Sequence, residues 1–247
     1  MKPDLSSKTA GVPSMGLELG THGELNGIKA GTKGDHVVSA LRSYIAGGEF
    51  GPGEKISLRK LAAALDVSVM PVRNAVARLQ SDGVVDIEPG RAVRIKKMGI
   101  SEFRELTAIR LQIEGFAAGL AAQNRSEEDI RTMQAFCSDF ERMAIDRDVP
   151  PSAASRVNMG FHFAVYHAAG MPMLSDIIER LWMKAGPSVS YFIKSERSPV
   201  PTNHGIDLHR RALSAIIARD SEEAKAAITR DIELASERLI SADIFDD

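Results

Sequence analysis

Four polar side chains in the C-terminal half of the chain fall where a helix would turn them inward. Asn158 and His162 are four residues apart and share one helix face. Phe161 and Val165, three and seven residues beyond Asn158, mark that face as apolar. His209 shares its face with Ala212, Leu213 and Ile216, and Asp231 with Ile228, Ile232, Ala235 and Leu239. Polar groups buried on such faces must be hydrogen-bonded or bound to a metal. Two imidazoles, a carboxylate and an amide oxygen suit a divalent ion such as Zn, Ni or Mn. From spacing alone, hydrogen-bonded core histidines are the commoner arrangement. Arg110 and Glu114, also four apart, offer either a charge-assisted contact to an anionic ligand or an internal salt bridge. His167 is five residues after His162 and points elsewhere; it stays outside the site with His36 and His204.

These residues need helices to position them, and six helical stretches can be read after Met98. Leu106, Ile109, Ile113, Phe116 and Leu120 mark the first, which ends near Asn124. The others cover about 126–145, 153–169, 172–194, 206–219 and 222–241, divided by Pro150-Pro151, Gly170, the Ser198-Pro199-Val200-Pro201 loop and Asp220-Ser221. They predict an all-α antiparallel helical bundle whose sites are built from inward-facing side chains.

The segment before Met98 reads differently. Val38, Leu41 and Ile45 line one face of a helix over 35–46, closed by Gly47-Gly48; Gly51-Pro52-Gly53 then makes a turn. A short helix over 58–65 is broken by Asp66-Val67-Ser68. A third helix carries Pro71 in its first turn and buries Val72, Val76 and Leu79. Two β-prone runs, 84–87 and 92–95, flank Pro89-Gly90 and read as a hairpin. Three helices and a hairpin make a winged helix-turn-helix. Arg73, in the first turn of its third helix, is placed for base edges, and Arg78 for a phosphate or for solvent. Arg59 is placed for the DNA backbone, and Arg91, at the hairpin tip, for the adjacent minor groove.

The whole-chain figures hide this division. The 247 residues carry 31 Lys+Arg against 33 Asp+Glu, a formal charge of -2 that by itself argues against nucleic acid. Residues 31–98 hold 11 basic and 7 acidic residues, and residues 99–247 hold 17 and 23. A basic segment is therefore joined to an acidic one, an asymmetry that points to a nucleic-acid contact at one end. With 44% hydrophobic and 26% charged residues the chain is of ordinary globular composition. No apolar run is long enough for a membrane span, no signal sequence is legible, and a single cysteine, Cys137, excludes an internal disulfide. A cytoplasmic setting follows. The expected organisation is a flexible tail over 1–30, rich in Gly, Ser and Thr, a DNA-binding domain over 31–98, and a helical domain over 99–247.

Residues 37–95 resemble the DNA-binding domain of GntR-family transcriptional regulators. The matching string is Leu41-Arg42, Ile45, Gly51-Pro52-Gly53-Glu54, Leu61-Ala62, Leu65, Val67-Ser68, Pro71-Val72-Arg73, Ala75-Val76, Leu79 and Gly83-Val84-Val85. The resemblance implies operator contacts by Arg59, Ser68, Arg73, Gly90 and Arg91, with Arg78 beside them. It departs at Val69, where the family usually has Arg, so the operator should differ from the commonest half-site at the base this Arg would read.

Residues 101–240 resemble the FCD domain, the effector-binding domain of the FadR-type branch. The matching pieces are Arg110 with Ile113-Glu114, Leu120-Ala121-Ala122, Phe161-His162, Ala168-Ala169-Gly170 and His209-Arg210 with Leu213 and Ala215-Ile216. In many members an Asp and three His hold a metal. Those positions carry Asn158 (usually Asp), His162, His209 and Asp231 (usually His), so one carboxylate is retained at a different place. The resemblance implies a homodimer that binds a pseudo-palindromic double-stranded operator, most simply as a repressor. It also implies a small carboxylate effector at the metal, contacted by Arg110 and Glu114. A metal sensor and a metal-independent effector binder are the alternatives. A metal-dependent hydrolase fits less well, because no general base stands beside the ligand set.

Overall fold

The computed structural model describes residues 33–88, 92–145, 149–196, 203–242, 244 and 245. The expected tail over 1–30 and the hairpin tip with Gly90 and Arg91 lie outside the described residues. The N-terminal unit runs α1 (Lys33–Ala46), β1 (Lys55–Ile56), α2 (Leu58–Ala64), α3 (Val69–Ser81), β2 (Val85–Ile87) and β3 (Val93–Ile95). Leu41, Ile45, Val72, Val76 and Leu79 are buried against one another and against the sheet residues Val85 and Ile95. Pro71 takes the third position of α3, where an N–H has no intrahelical partner. Asp66, at φ 51, supplies the left-handed turn between α2 and α3.

The wing is a three-stranded antiparallel sheet of order β1-β3-β2, rather than a hairpin alone. β1 pairs Lys55 with Arg94 and Ile56 with Val93. Two residues carry no legible alternation; β1 exists because β3 offers it a free edge and Ile56 a place in the core.

Six helices follow: α4 (Ile100–Asn124), α5 (Glu127–Ile145), α6 (Pro151–Ala168), α7 (Pro172–Glu196), α8 (Asn203–Ala218) and α9 (Ser221–Ser241). α4 corrects one expectation. Ile109 and Phe116 are exposed, whereas Leu106 is buried and Ile113 and Leu120 pack partly against the core; the buried face also carries Phe103, Arg110, Glu114, Ala117, Ala118, Ala121 and Ala122. This helix packs against α6, α7, α8 and α9, and its alanines admit those close neighbours around one buried ion pair. Hydropathy periodicity finds only part of such a face.

The two units share a continuous core, joined where α1 packs on α7. At Gly186 of α7, a Cβ would lie 2.3 Å from the Ile45 carbonyl oxygen and 2.8 Å from that of Ala46. Arg42 of α1 ties the same seam, reaching Asp82 at the end of α3 (3.2 Å) and Glu179 of α7 (3.4 Å). Arg180 also reaches Asp82, at 3.3 Å. Gly186→Ala is expected to lower stability by about 1–3 kcal/mol, because backbone rather than a flexible side chain must give way. Calorimetry checks this; an unchanged melting temperature would mean that the seam yields freely.

Candidate functional site

His162 of α6, His209 of α8 and Asp231 of α9 meet in the helical unit, each offering one donor atom within 4.8 Å of the others. His162 Nε2 lies 3.0 Å from Asp231 Oδ2, and His209 Nε2 lies 4.0 Å from the same oxygen. Both imidazoles are buried. Among the described residues neither nitrogen of His209 has a hydrogen-bond partner. Its ring is held instead by stacking on Phe161 (centroids 4.1 Å apart) and by Phe140 (4.8 Å). Burial pushes the His209 pKa down to about 3, so the ring is neutral and both acceptor and donor go unused. Such a group is costly unless something binds it.

His162 stands at the end of a chain of buried hydrogen bonds. Glu114 is fully buried, and its carboxylate accepts from Arg110 Nε (2.6 Å), Trp182 Nε1 (2.9 Å) and the Tyr166 hydroxyl. The Tyr166 hydroxyl donates to Glu114, and its oxygen lies 3.0 Å from His162 Nδ1. His162 Nε2 lies 3.0 Å from Asp231 Oδ2, a contact that takes either an N–H donated to the carboxylate or a metal ion shared by the two. Burial pulls the Asp231 carboxyl upward, but the hydrogen bond to His162 and the nearby His209 and Arg110 outweigh it and hold the group below its ordinary value. A carboxylate, an orphaned neutral imidazole and a second imidazole oriented by a Tyr–Glu relay form a donor set that fits a divalent ion.

A cavity of about 830 Å³ opens beside the cluster, lined at this end by Arg110, Asn158, His162, Trp182 and Asp231. Arg110 lies over the Trp182 ring at 5.0 Å. Burial acts to lower its pKa, but the Glu114 charge and hydrogen bond prevail and raise it, so the guanidinium stays charged. Of the two expected effector contacts, Arg110 therefore faces the cavity, while Glu114 stands behind it as the salt-bridge partner. Asn158 joins His162 on the cavity wall. Sequence reasoning missed Tyr166 and Trp182; Tyr166 is four residues after His162 and shares its face, a signal that could have found it.

On the DNA-binding unit, Arg59, Ser68 and Arg73 are exposed, and the two arginines have no acidic partner among the described residues. Ser68 is the N-cap of α3, and its hydroxyl makes no capping bond. Arg78 pairs with Asp35 at 3.3 Å. Val69 leans partly into the core, while Met70 beside it is 60% exposed on the first turn of α3, a position sequence reasoning passed over. Binding-site selection with the parent and Val69→Arg is expected to return different consensus sites; identical sites would reject a reading role for this position.

The two units match known families separately. The profile described as "Bacterial regulatory proteins, gntR family" covers residues 33–95, and that of the FCD domain covers residues 105–234. The chain is 28% identical to the Escherichia coli (strain K12) HTH-type transcriptional regulator McbR over 186 residues, 75% of this chain and 83% of that protein. It is 26% identical over 186 residues to the HTH-type transcriptional repressor RspR of the same organism, covering 75% and 79%. The solved structure of E. coli McbR/YncC superimposes with a TM-score of 0.79 at 25% identity, over 86% of this chain and 99% of that one. A GntR regulator from Rhodococcus sp. RHA1 shares the fold, with a TM-score of 0.64 at 22% identity over 85% and 98%. No helix among the described residues is long and apolar enough to cross a membrane. A winged helix joined to a six-helix bundle, with both profiles matched in order, places this chain in the GntR family of bacterial transcriptional regulators, in the branch that carries an FCD domain.

Proposed function

We propose that the chain is an effector-controlled repressor in which a divalent metal held by His162, His209, Asp231 and Asn158 presents an open position to a small carboxylate metabolite. The observation that carries this reading is the extent of the cavity. It runs from the His–Asp cluster to Ala46 and Gly47, where α1 of the DNA-binding unit ends. A ligand bound there touches both units; to the extent that it favours one placement of α1 over another, operator affinity responds reciprocally. Arg110 supplies the charge-assisted contact to the carboxylate. One relative, RspR, is named a repressor.

Operator reading falls to Arg73 and Met70 at the start of α3, Met70 suiting a thymine methyl. Arg59, Ser68 and Arg78 contact the backbone, and Gly90 and Arg91 the minor groove. Two copies read a pseudo-palindrome. Ile109 and Phe116 of α4 and Met173 and Ile177 of α7 are exposed apolar residues on helices that pack together, and a two-fold contact would cover such residues.

A gel shift on DNA from the chain's own upstream region tests the proposal, with and without Zn²⁺ and small carboxylates. Arg73→Ala is expected to weaken binding by about 5- to 150-fold. Operator binding unaffected by Arg73→Ala, or by every metal–carboxylate combination, would count against it.

A further inference from the structure

We infer that the effector is amphipathic: a monocarboxylate whose unbranched or aromatic apolar tail extends away from the metal, rather than a hydroxylated sugar acid. The inference rests on the carboxylate site proposed above and adds the chemistry of the rest of the molecule. His162, Asp231 and Arg110 put a charged, metal-ligating group at one end of the cavity, and Glu237 and Arg238 add charge further along α9. Trp182, Ala185, Gly186, Val189 and Phe192 recur at helical spacing along α7 and line the cavity, so this wall runs about 15 Å from the cluster at 1.5 Å per residue. On α9 the lining continues from Asp231 through Ile232, Ala235 and Leu239 to Ala242. Leu208 of α8 faces the same space. Beyond the cluster the polar lining residues are Ser155, His204, Glu237, Arg238 and Ser241; His204, Glu237 and Ser241 are exposed and mark the mouth.

An acid of two to four carbons would occupy only the head of a cavity of about 830 Å³, which is of the size that encloses a drug-sized ligand. The side chains of Val189, Phe192 and Leu208 offer a sugar acid's hydroxyls no partner, and each hydroxyl left unpaired against them loses its water for nothing. A methylene chain loses no hydrogen bond there and gains burial. The tail also passes Ala46 and Gly47 at the end of α1, so its length governs how firmly the ligand engages the DNA-binding unit.

Titration calorimetry of the metal-loaded full chain with acetate, butanoate, hexanoate, octanoate and decanoate, and with the hydroxylated six-carbon acid gluconate, tests this. Affinity is expected to rise by about fourfold per methylene through the middle of the series, with hexanoate above gluconate. Ala235→Phe, which fills the apolar channel, is expected to weaken decanoate at least tenfold and leave acetate unchanged. Gluconate binding as tightly as hexanoate, with both lost in His162→Ala/His209→Ala, would leave the carboxylate site standing and overturn the tail. A rise with chain length that Ala235→Phe does not reduce would place the tail elsewhere and overturn it too. If no acid in the series binds, the carboxylate site and the tail are both rejected.

Discussion

Replacing Glu114 by alanine is expected to cost about 3–5 kcal/mol of folding stability, the range found when one partner of a buried ion pair is removed. Its carboxylate is fully buried and is the common acceptor for Arg110, Tyr166 and Trp182. Without it, a guanidinium only 9% exposed loses its hydrogen-bonded counter-ion, and Tyr166 and Trp182 lose their acceptor. At about 2–4 °C per kcal/mol for a chain of this size, the melting temperature should fall by roughly 6–20 °C. Glu114→Gln keeps the shape and one acceptor oxygen, so it should lie between the parent and alanine. It should also loosen the link from Tyr166 to His162, weakening metal affinity by about 10- to 100-fold. A melting temperature unchanged in both variants would mean that Arg110 is served by water rather than by Glu114.

Removing both imidazoles has the largest expected effect on ligand binding. The parent should purify with, or take up, about one divalent ion per chain. His162→Ala/His209→Ala leaves Asp231 and Asn158, too few donors to hold it. Metal analysis should fall from about one equivalent to none. The stabilisation of the parent by added Zn²⁺, Ni²⁺ or Mn²⁺, about 2.7 kcal/mol at a hundred times the dissociation constant, should vanish in the variant. No metal in either protein, or equal metal in both, would reject the assignment. Neutral His209, with its pKa near 3, makes this test clean at neutral pH, because no proton competes there for the nitrogen.

Helix positions and the order of the fold could be read from apolar spacing and from the Gly and Pro breaks, because each helix buries a face of its own. Two features could not. β1 is a strand only because β3 lies beside it, a contact about forty residues distant in sequence that no local pattern records. The buried face of α4 is largely alanine-lined and charged, so Ile109 and Phe116 of the visible stripe point outward instead. At the site, His162, His209 and Asp231 were legible as polar residues on apolar faces. Their convergence depends on three helices, α6, α8 and α9, crossing at one level. The role of Glu114 was hidden for a related reason: spacing shows that it can reach Arg110, but only packing shows that Tyr166 and Trp182 occupy its other lone pairs and keep a ligand away.

Coupling between the His–Asp cluster and the operator is the central claim, and fluorescence anisotropy on labelled upstream DNA measures it directly. With saturating metal, the addition of a carboxylate that binds the parent should shift the operator dissociation constant by about 5- to 150-fold. His162→Ala/His209→Ala should bind the same DNA and show no shift. An equal shift in parent and variant, or none in the parent although calorimetry shows the acid bound, would contradict the account.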